Sequence, residues 1–325
     1  MQRLARARAA DEGAVAVTIA LLMTVLMLFA AVVVDAGALY AERRQLQNGA
    51  DAAALAVARA CAISTAVGAC TSTAANTAIA EVLMDANAND GAAEVAELAI
   101  AGSAVTVTGS TEESDGGDAL PHAFGSILGV DATTVTAKAT AAWGGPAKAV
   151  ASLPLALPTC AFQLAVTPPV ELAIPTKNIS RAGGCKDRNG ASMPPGAFGW
   201  LGTLDSSTCA LPIDIAVQTG SQTGNSFPKR ECEDDIIAMR NTVITLPVYD
   251  ETGGSGSNGW YQVYGFAAFR LTGYSFTSGI KWNQATAPSL NGEFGIKGYF
   301  VKFVTLDPYA LGGANLGFSS IALVD

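Results

Sequence analysis

Twenty-one consecutive residues, Ala14–Val34 (AVAVTIALLMTVLMLFAAVVV), carry no charge and no helix breaker. At 1.5 Å per residue a helix of that length reaches roughly 31 Å, about one hydrocarbon core. The chain continues without a proline through DAGALYAERRQLQNGADAAALAVARA, residues 35–60, which is rich in Ala and Leu. Good helix formers directly after an apolar span predict one continuous helix that leaves the membrane and carries on as a stalk. A cleaved signal peptide is the alternative reading. Its apolar core runs only about 7–15 residues before a small-residue site. This span is longer and exits through VVVDAGALY into helix-forming sequence, so an uncleaved anchor is expected.

Arg3, Arg6 and Arg8 precede the span and Arg43 and Arg44 follow it, so positive charge alone orients it weakly. Cysteine placement gives the stronger argument. All six (Cys61, Cys70, Cys160, Cys185, Cys209 and Cys232) lie after the span, and none forms a CxxC pair. An even number on one side fits disulfides in an oxidising compartment, with the N-terminus cytoplasmic and the bulk of the chain outside. Cys61 and Cys70 flank AISTAVGA, where the stalk should end. The other four allow three pairings, and the sequence leaves that choice open. Cys160–Cys185 and Cys209–Cys232 are favoured because each closes a loop of moderate length, worth about 3 kcal/mol in the chain-entropy model. A zinc site would lack close ligand spacing and has a single histidine to draw on.

Composition narrows the function classes. Beyond residue 13 the chain holds 16 basic against 26 acidic residues. That balance leaves no phosphate-neutralising footprint for nucleic acid and no attraction to an anionic membrane surface beyond the anchor.

The expected organisation has three parts. Residues 1–34 are a basic head and transmembrane helix, 35–146 a stalk helix with an α+β region, and 147–325 a β-rich, disulfide-clipped, sandwich-like domain. In the stalk, Leu46, Ala50, Ala53, Val57 and Ala60 share one face, opposite Arg44, Gln47, Asp51 and Arg59. A second helix is expected over 72–87, a third over 92–101, a strand over 104–109, a short helix over 121–128 and a strand over 130–143. Trp143-Gly-Gly-Pro146 reads as a boundary. Strands are then expected over 214–218, 236–244 (partly helical at first), 246–249, 260–272 and 298–306, with Gly253–Gly259 as a hairpin tip. The aromatic cluster of Tyr261, Val263, Tyr264, Phe266, Phe269 and Leu271 reads as ordinary core, with Gly265 at a bulge.

The search for chemistry returns little. His122 is the only histidine, and no GxSxG, HExxH or Walker-type loop occurs. No catalytic residue, cofactor, metal or small-molecule substrate is therefore expected. Two acidic loops, around Glu112–Asp118 and Glu231–Asp235, lack EF-hand spacing and read as solvated loops rather than Ca²⁺ sites.

One stretch resembles a known family. Asp35 and Gly37, Tyr40, the pair Arg43 and Arg44, Leu46 and Gln47, and the run Asp51–Leu55 with Ala53 within it are similar to the N-terminal segment of the TadE/TadG-like proteins of tight-adherence (Flp) pilus assembly. Residues 120–143 also resemble the short helix and closing strand of TadG-like domains. The resemblance implies a pilin-like stalk on an α+β head, no enzymatic activity, and a role in assembling or anchoring pili at the cell envelope. It implies the membrane and other pilus-assembly or pilin-like proteins as partners, with the alanine face packing on pilin-like helices, although small alanines equally allow close packing on the domain's own sheet. Two departures stand out. The metal-binding Asp-x-Ser-x-Ser of many relatives is missing: Asp205-Ser206-Ser207 has the wrong spacing, and Asp250 is followed by Glu-Thr-Gly-Gly. Gly13 is present but Thr18 stands where processed pilins carry Glu, so the basic N-terminus is expected to be retained. An envelope-anchored adhesin or ligand-binding protein is the alternative.

Overall fold

The computed structural model describes residues 2–64, 70, 73–162, 170–175, 186–190, 199–202, 208–221, 227–254, 258–305 and 309–324. Helix α1 (Gln2–Ile63) is unbroken over 62 residues, about 93 Å at 1.5 Å per residue. Its apolar stretch has no protein cover: Leu21, Leu26, Met27, Phe29 and Val33 are 65–71% exposed. The helix is long and apolar enough to cross a membrane. Within that stretch Thr24 Oγ1 donates to the Ala20 carbonyl at 2.8 Å, so its hydroxyl is satisfied without water.

The second half of α1 is the spine of a membrane-proximal unit. Leu46, Ala50, Ala53, Ala54, Val57, Ala58 and Cys61 are buried. The buried stripe is thus two residues wide and leaves Ala60 half-buried at its margin. It packs against α2 (Thr73–Asn87) and against an antiparallel sheet of β1 (Ala93–Ala101), β2 (Ala104–Thr111) and β3 (Thr136–Pro146). Short side chains let the backbones approach closely, and one glycine fixes how closely. A Cβ on Gly49 would stand 3.0 Å from Met84 Sδ and 3.2 Å from Met84 Cα. The end of α1 carries no basic residue in its last turn. The Lys302 ammonium, distant in sequence, donates to the Ser64 carbonyl there, as the negative end of the helix dipole favours.

Several expectations are corrected here. Residues 93–101 form a strand where Ala, Glu and Leu favoured a helix. A register shift between Val95 and Glu97 breaks the alternation that would have marked it. The 121–128 segment is helical only as one 3₁₀ turn, Gly125–Leu128. The closing strand begins at Thr136 and continues through Gly-Gly-Pro to Pro146. Those glycines permit it: a Cβ on Gly145 would lie 2.1 Å from the Ala314 carbonyl oxygen of the neighbouring strand. In the 214–218 region the strand is Leu211–Asp214, followed by a turn.

The second unit is mostly β. Strand β4 (Leu155–Pro158) runs parallel to β5 (Val243–Gly253), which forms a hairpin with β6 (Trp260–Ser275). Residues 255–257 of the expected hairpin tip lie outside the described residues. The β5–β6 register shifts at Tyr264, beside Gly265. On its other edge β6 pairs antiparallel with β7 (Gly295–Val301) and parallel with β8 (Leu311–Leu316). Helix α3 (Lys229–Ala238) occupies the first part of the expected 236–244 strand. Finally β9 (Phe318–Val324) returns to the membrane-proximal unit and pairs with β3 from Thr140 to Gly144. A strand from the far end of the chain therefore extends the first sheet, and the fold class is α+β.

Cys61–Cys70 and Cys209–Cys232 are bridged, with Cα–Cα distances of 5.0 and 4.5 Å. Cys160 is also disulfide-bonded, while its expected partner Cys185 lies outside the described residues.

Candidate functional site

The family-like residues of α1 divide into those that touch the head and those left exposed. Asp35 ends the uncharged span, and its carboxylate accepts the Phe124 backbone N–H at 3.3 and 3.2 Å. Three turns on, Gln45 Oε1 accepts the Asn89 N–H at 2.7 Å, which holds the loop after α2 against the stalk. Leu46 and Ala53 are buried in the seam, and Leu55 is half-buried at its edge. Gln47 donates to Asp51 Oδ1 at 2.9 Å and to the Lys138 carbonyl of β3 at 3.2 Å. Asp35, Leu46, Gln47 and Ala53 thus bind the helix to this protein's own head, and Asp51 holds the Gln47 amide in place. Of the two covers open to the alanine face, the domain's own sheet and another pilin-like helix, the head's sheet and α2 take it up.

Gly37, Tyr40, Arg43 and Arg44 are left exposed between the span and the head. A Cβ on Gly37 would meet nothing within 4 Å, Tyr40 is 60% exposed, and both arginines are exposed. Arg44 Nε donates to Tyr40 Oη at 2.9 Å, and its guanidinium carbon stands 5.0 Å from the ring centroid. The pair forms a pre-ordered, cationic aromatic knob on an otherwise bare helix surface. Farther along, α1 and β9 leave an apolar groove of about 610 Å³ walled by Leu55, Ala56, Arg59, Val304, Ile321 and Leu323.

Glu42, half-buried, sits near Thr111 of β2. Burial raises its carboxyl above the ordinary range and Asp90 and Glu113 add to the rise, while the Thr111 hydrogen bond opposes it. Among the described residues no group of three or more His, Cys, Asp or Glu side chains could hold a metal. His122 Nε2 lies 2.8 Å from Thr133 Oγ1, across the neck of a loop. Glu231–Asp235, expected as a solvated acidic loop, lies within helix α3, where Asp235 accepts the Cys209 N–H at 2.8 Å; Asp250 pairs with Arg188 at 2.9 Å. Asp205–Ser207 lies outside the described residues.

Gln45, Gly49 and Met84 escaped the sequence reading. Gly49 did leave a signal, because an interior helical glycine costs roughly 0.5–1 kcal/mol relative to Ala and needs a packing reason.

Residues 13–60 match the Tad family model, described as "Putative Flp pilus-assembly TadE/G-like". The matched segment takes in the span and the stalk as far as Ala60. No curated protein and no solved structure gives a significant match. The chain is thus similar to Flp pilus-assembly proteins through its membrane-type helix and stalk.

Proposed function

We propose that this protein is a membrane-anchored, extracytoplasmic component of Flp/Tad-type pilus assembly. It acts through helix packing and protein–protein contacts, without covalent chemistry. The observation that carries this reading is the division of the matched helix. From Gln45 on, the helix is taken up by the protein's own head, whereas Gly37, Tyr40, Arg43 and Arg44 stand exposed between the uncharged span and that seam. A mere tether needs only an apolar span. An ordered Tyr–Arg knob outside the span and an open groove at Leu55 fit a helix that also meets other pilin-like proteins. The bridged cysteines support an oxidising compartment for the bulk of the chain and a cytoplasmic N-terminus.

A second reading, an envelope-anchored adhesin, rests on the polar cleft of about 500 Å³ lined by Arg188, Glu251, Gln262, Tyr264 and Gly312–Ala314. One experiment separates them. Deleting the gene should abolish or misassemble surface pili on imaging. Complementation with the Arg43→Ala/Arg44→Ala double variant should restore protein level without restoring pili or co-purification of pilus components. Normal pili in the deletion strain would overturn the assembly reading in favour of the adhesin.

A further inference from the structure

Residues 123–130 (AFGSILGV) form an uncharged loop whose flanking titratable residues, His122 and Asp131, stand at its neck. The neck is closed. Leu120 and Pro121 pair with Thr133 and Ala132, the His122 N–H donates to the Asp131 carbonyl at 2.9 Å, and His122 Nε2 bonds Thr133. The tip is also tight: Val130 N–H donates to the Gly125 carbonyl at 3.1 Å, and a Cβ on Gly125 would stand 2.6 Å from the Val130 carbonyl oxygen. This ordered tip turns its apolar side chains outward, with Phe124 42%, Ile127 71% and Val130 51% exposed.

The height of the loop is fixed by its bond to the helix. The Phe124 N–H donates to Asp35, the first polar residue after the uncharged span, so the loop lies where the span would emerge from hydrocarbon. We infer that Phe124, Ile127 and Val130 insert into the interfacial layer of the same bilayer that α1 crosses, giving the head a second foothold on the membrane. Apolar side chains at the headgroup–acyl boundary gain by leaving water, and an uncharged tip pays no penalty for entering it. With two contacts the head is held at a set tilt and rotation around α1, which a single helix through lipid does not provide.

The inference rests on α1 spanning the bilayer, and the test separates the two. Every cysteine among the described residues is disulfide-bonded, and labelling the wild-type chain in parallel subtracts any signal from Cys185, so a new thiol in the full-length chain can be read by itself with a polarity-sensitive fluorophore. Ile127→Cys, Leu26→Cys and Arg59→Cys are each labelled and reconstituted in phosphatidylcholine vesicles. The vesicles carry lipids with a quencher either at the headgroup–acyl boundary or deep in the chains. Arg59 lies roughly 37 Å beyond Val34 along the helix and serves as the solvent reference. The Ile127 label should be blue-shifted and quenched several-fold more than the Arg59 label by the interfacial quencher, and Leu26 should respond to the deep one. Adding Phe124→Ser should weaken the Ile127 quenching while the melting temperature stays unchanged. If Leu26 is quenched but Ile127 matches Arg59, the loop faces water or a protein and the inference fails while the anchor stands. If Leu26 is not quenched either, both fail.

Discussion

The two units of this head bury very different cores. The membrane-proximal core is built mainly from small residues: Ala50, Ala53, Ala54 and Ala58 on α1 face Ala137, Ala139 and Ala141 on β3. The second unit packs Trp200, Phe227, Phe269, Tyr274, Phe276 and Phe300 into one cluster, with Phe227 and Phe276 stacked at 5.1 Å and Phe269 edge-on to Phe300 at 5.1 Å. Alanine contributes little area per residue, so the first unit depends on close backbone approach. Aromatic rings contribute large areas, so the second depends on volume. One core should resist truncation and fail on enlargement, and the other should do the reverse.

The largest expected effect is in the aromatic core. Phe269 is fully buried, and a Cβ on Gly298 of the paired strand would lie 2.7 Å from its ring, so the ring fills space that nothing else can reach. Phe269→Ala should cost about 3–5 kcal/mol, read as a lowered denaturation midpoint of the full-length protein in detergent. A cost below about 1 kcal/mol would mean the cluster is loosely packed and the contrast between the units is false.

The converse experiment sits on the stalk. Ala53 is fully buried, and Ala53→Leu should overpack the seam at about 1–3 kcal/mol. It should also loosen the α2 contact at Gly49 and Met84, measurable as faster amide exchange in residues 73–87. Asp51→Asn should be milder, since the amide oxygen still accepts from Gln47. If Ala53→Leu changes neither stability nor exchange, the stalk seam carries little of the unit's stability.

The sequence revealed these units unequally. The span, α2, β2 and the β5–β6 hairpin were legible because each announces itself by local period or by a turn. Strand β1 was not, because its helix-favouring Ala, Glu and Leu outvoted an alternation that the bulge at Val95–Glu97 had already broken. The pairing of β9 with β3 joins residues about 180 apart, and no local pattern encodes such a partner. On the stalk, the spacing of Leu46, Ala50, Ala53 and Val57 exposed a buried face but could not say what covered it. Asp35 read as a motif residue, whereas its bond to Phe124 depends on a loop whose own helix was expected to be longer.

The smallest expected effect concerns charge, where the units also differ. The second unit pairs its buried Asp250 with Arg188 at 2.9 Å, whereas the membrane-proximal unit sets Glu42 among acids. Burial first, then Asp90 and Glu113, raise the folded-state pKa of Glu42 against the opposing Thr111 hydrogen bond. A carboxyl with a raised folded pKa binds its proton more tightly folded than unfolded. Its contribution is therefore favourable below the unfolded value and is lost as pH rises through the folded one. Removing the charge should reverse that loss. Glu42→Gln should raise the melting temperature slightly near pH 7 and bring no such gain near pH 4, about the ordinary glutamate range. Thermal melts of the full-length wild type and variant at both pH values decide it. A variant advantage equal at both would show that Glu42 acts through packing rather than charge. A variant less stable at neutral pH would show that the Thr111 hydrogen bond outweighs the crowding of acids.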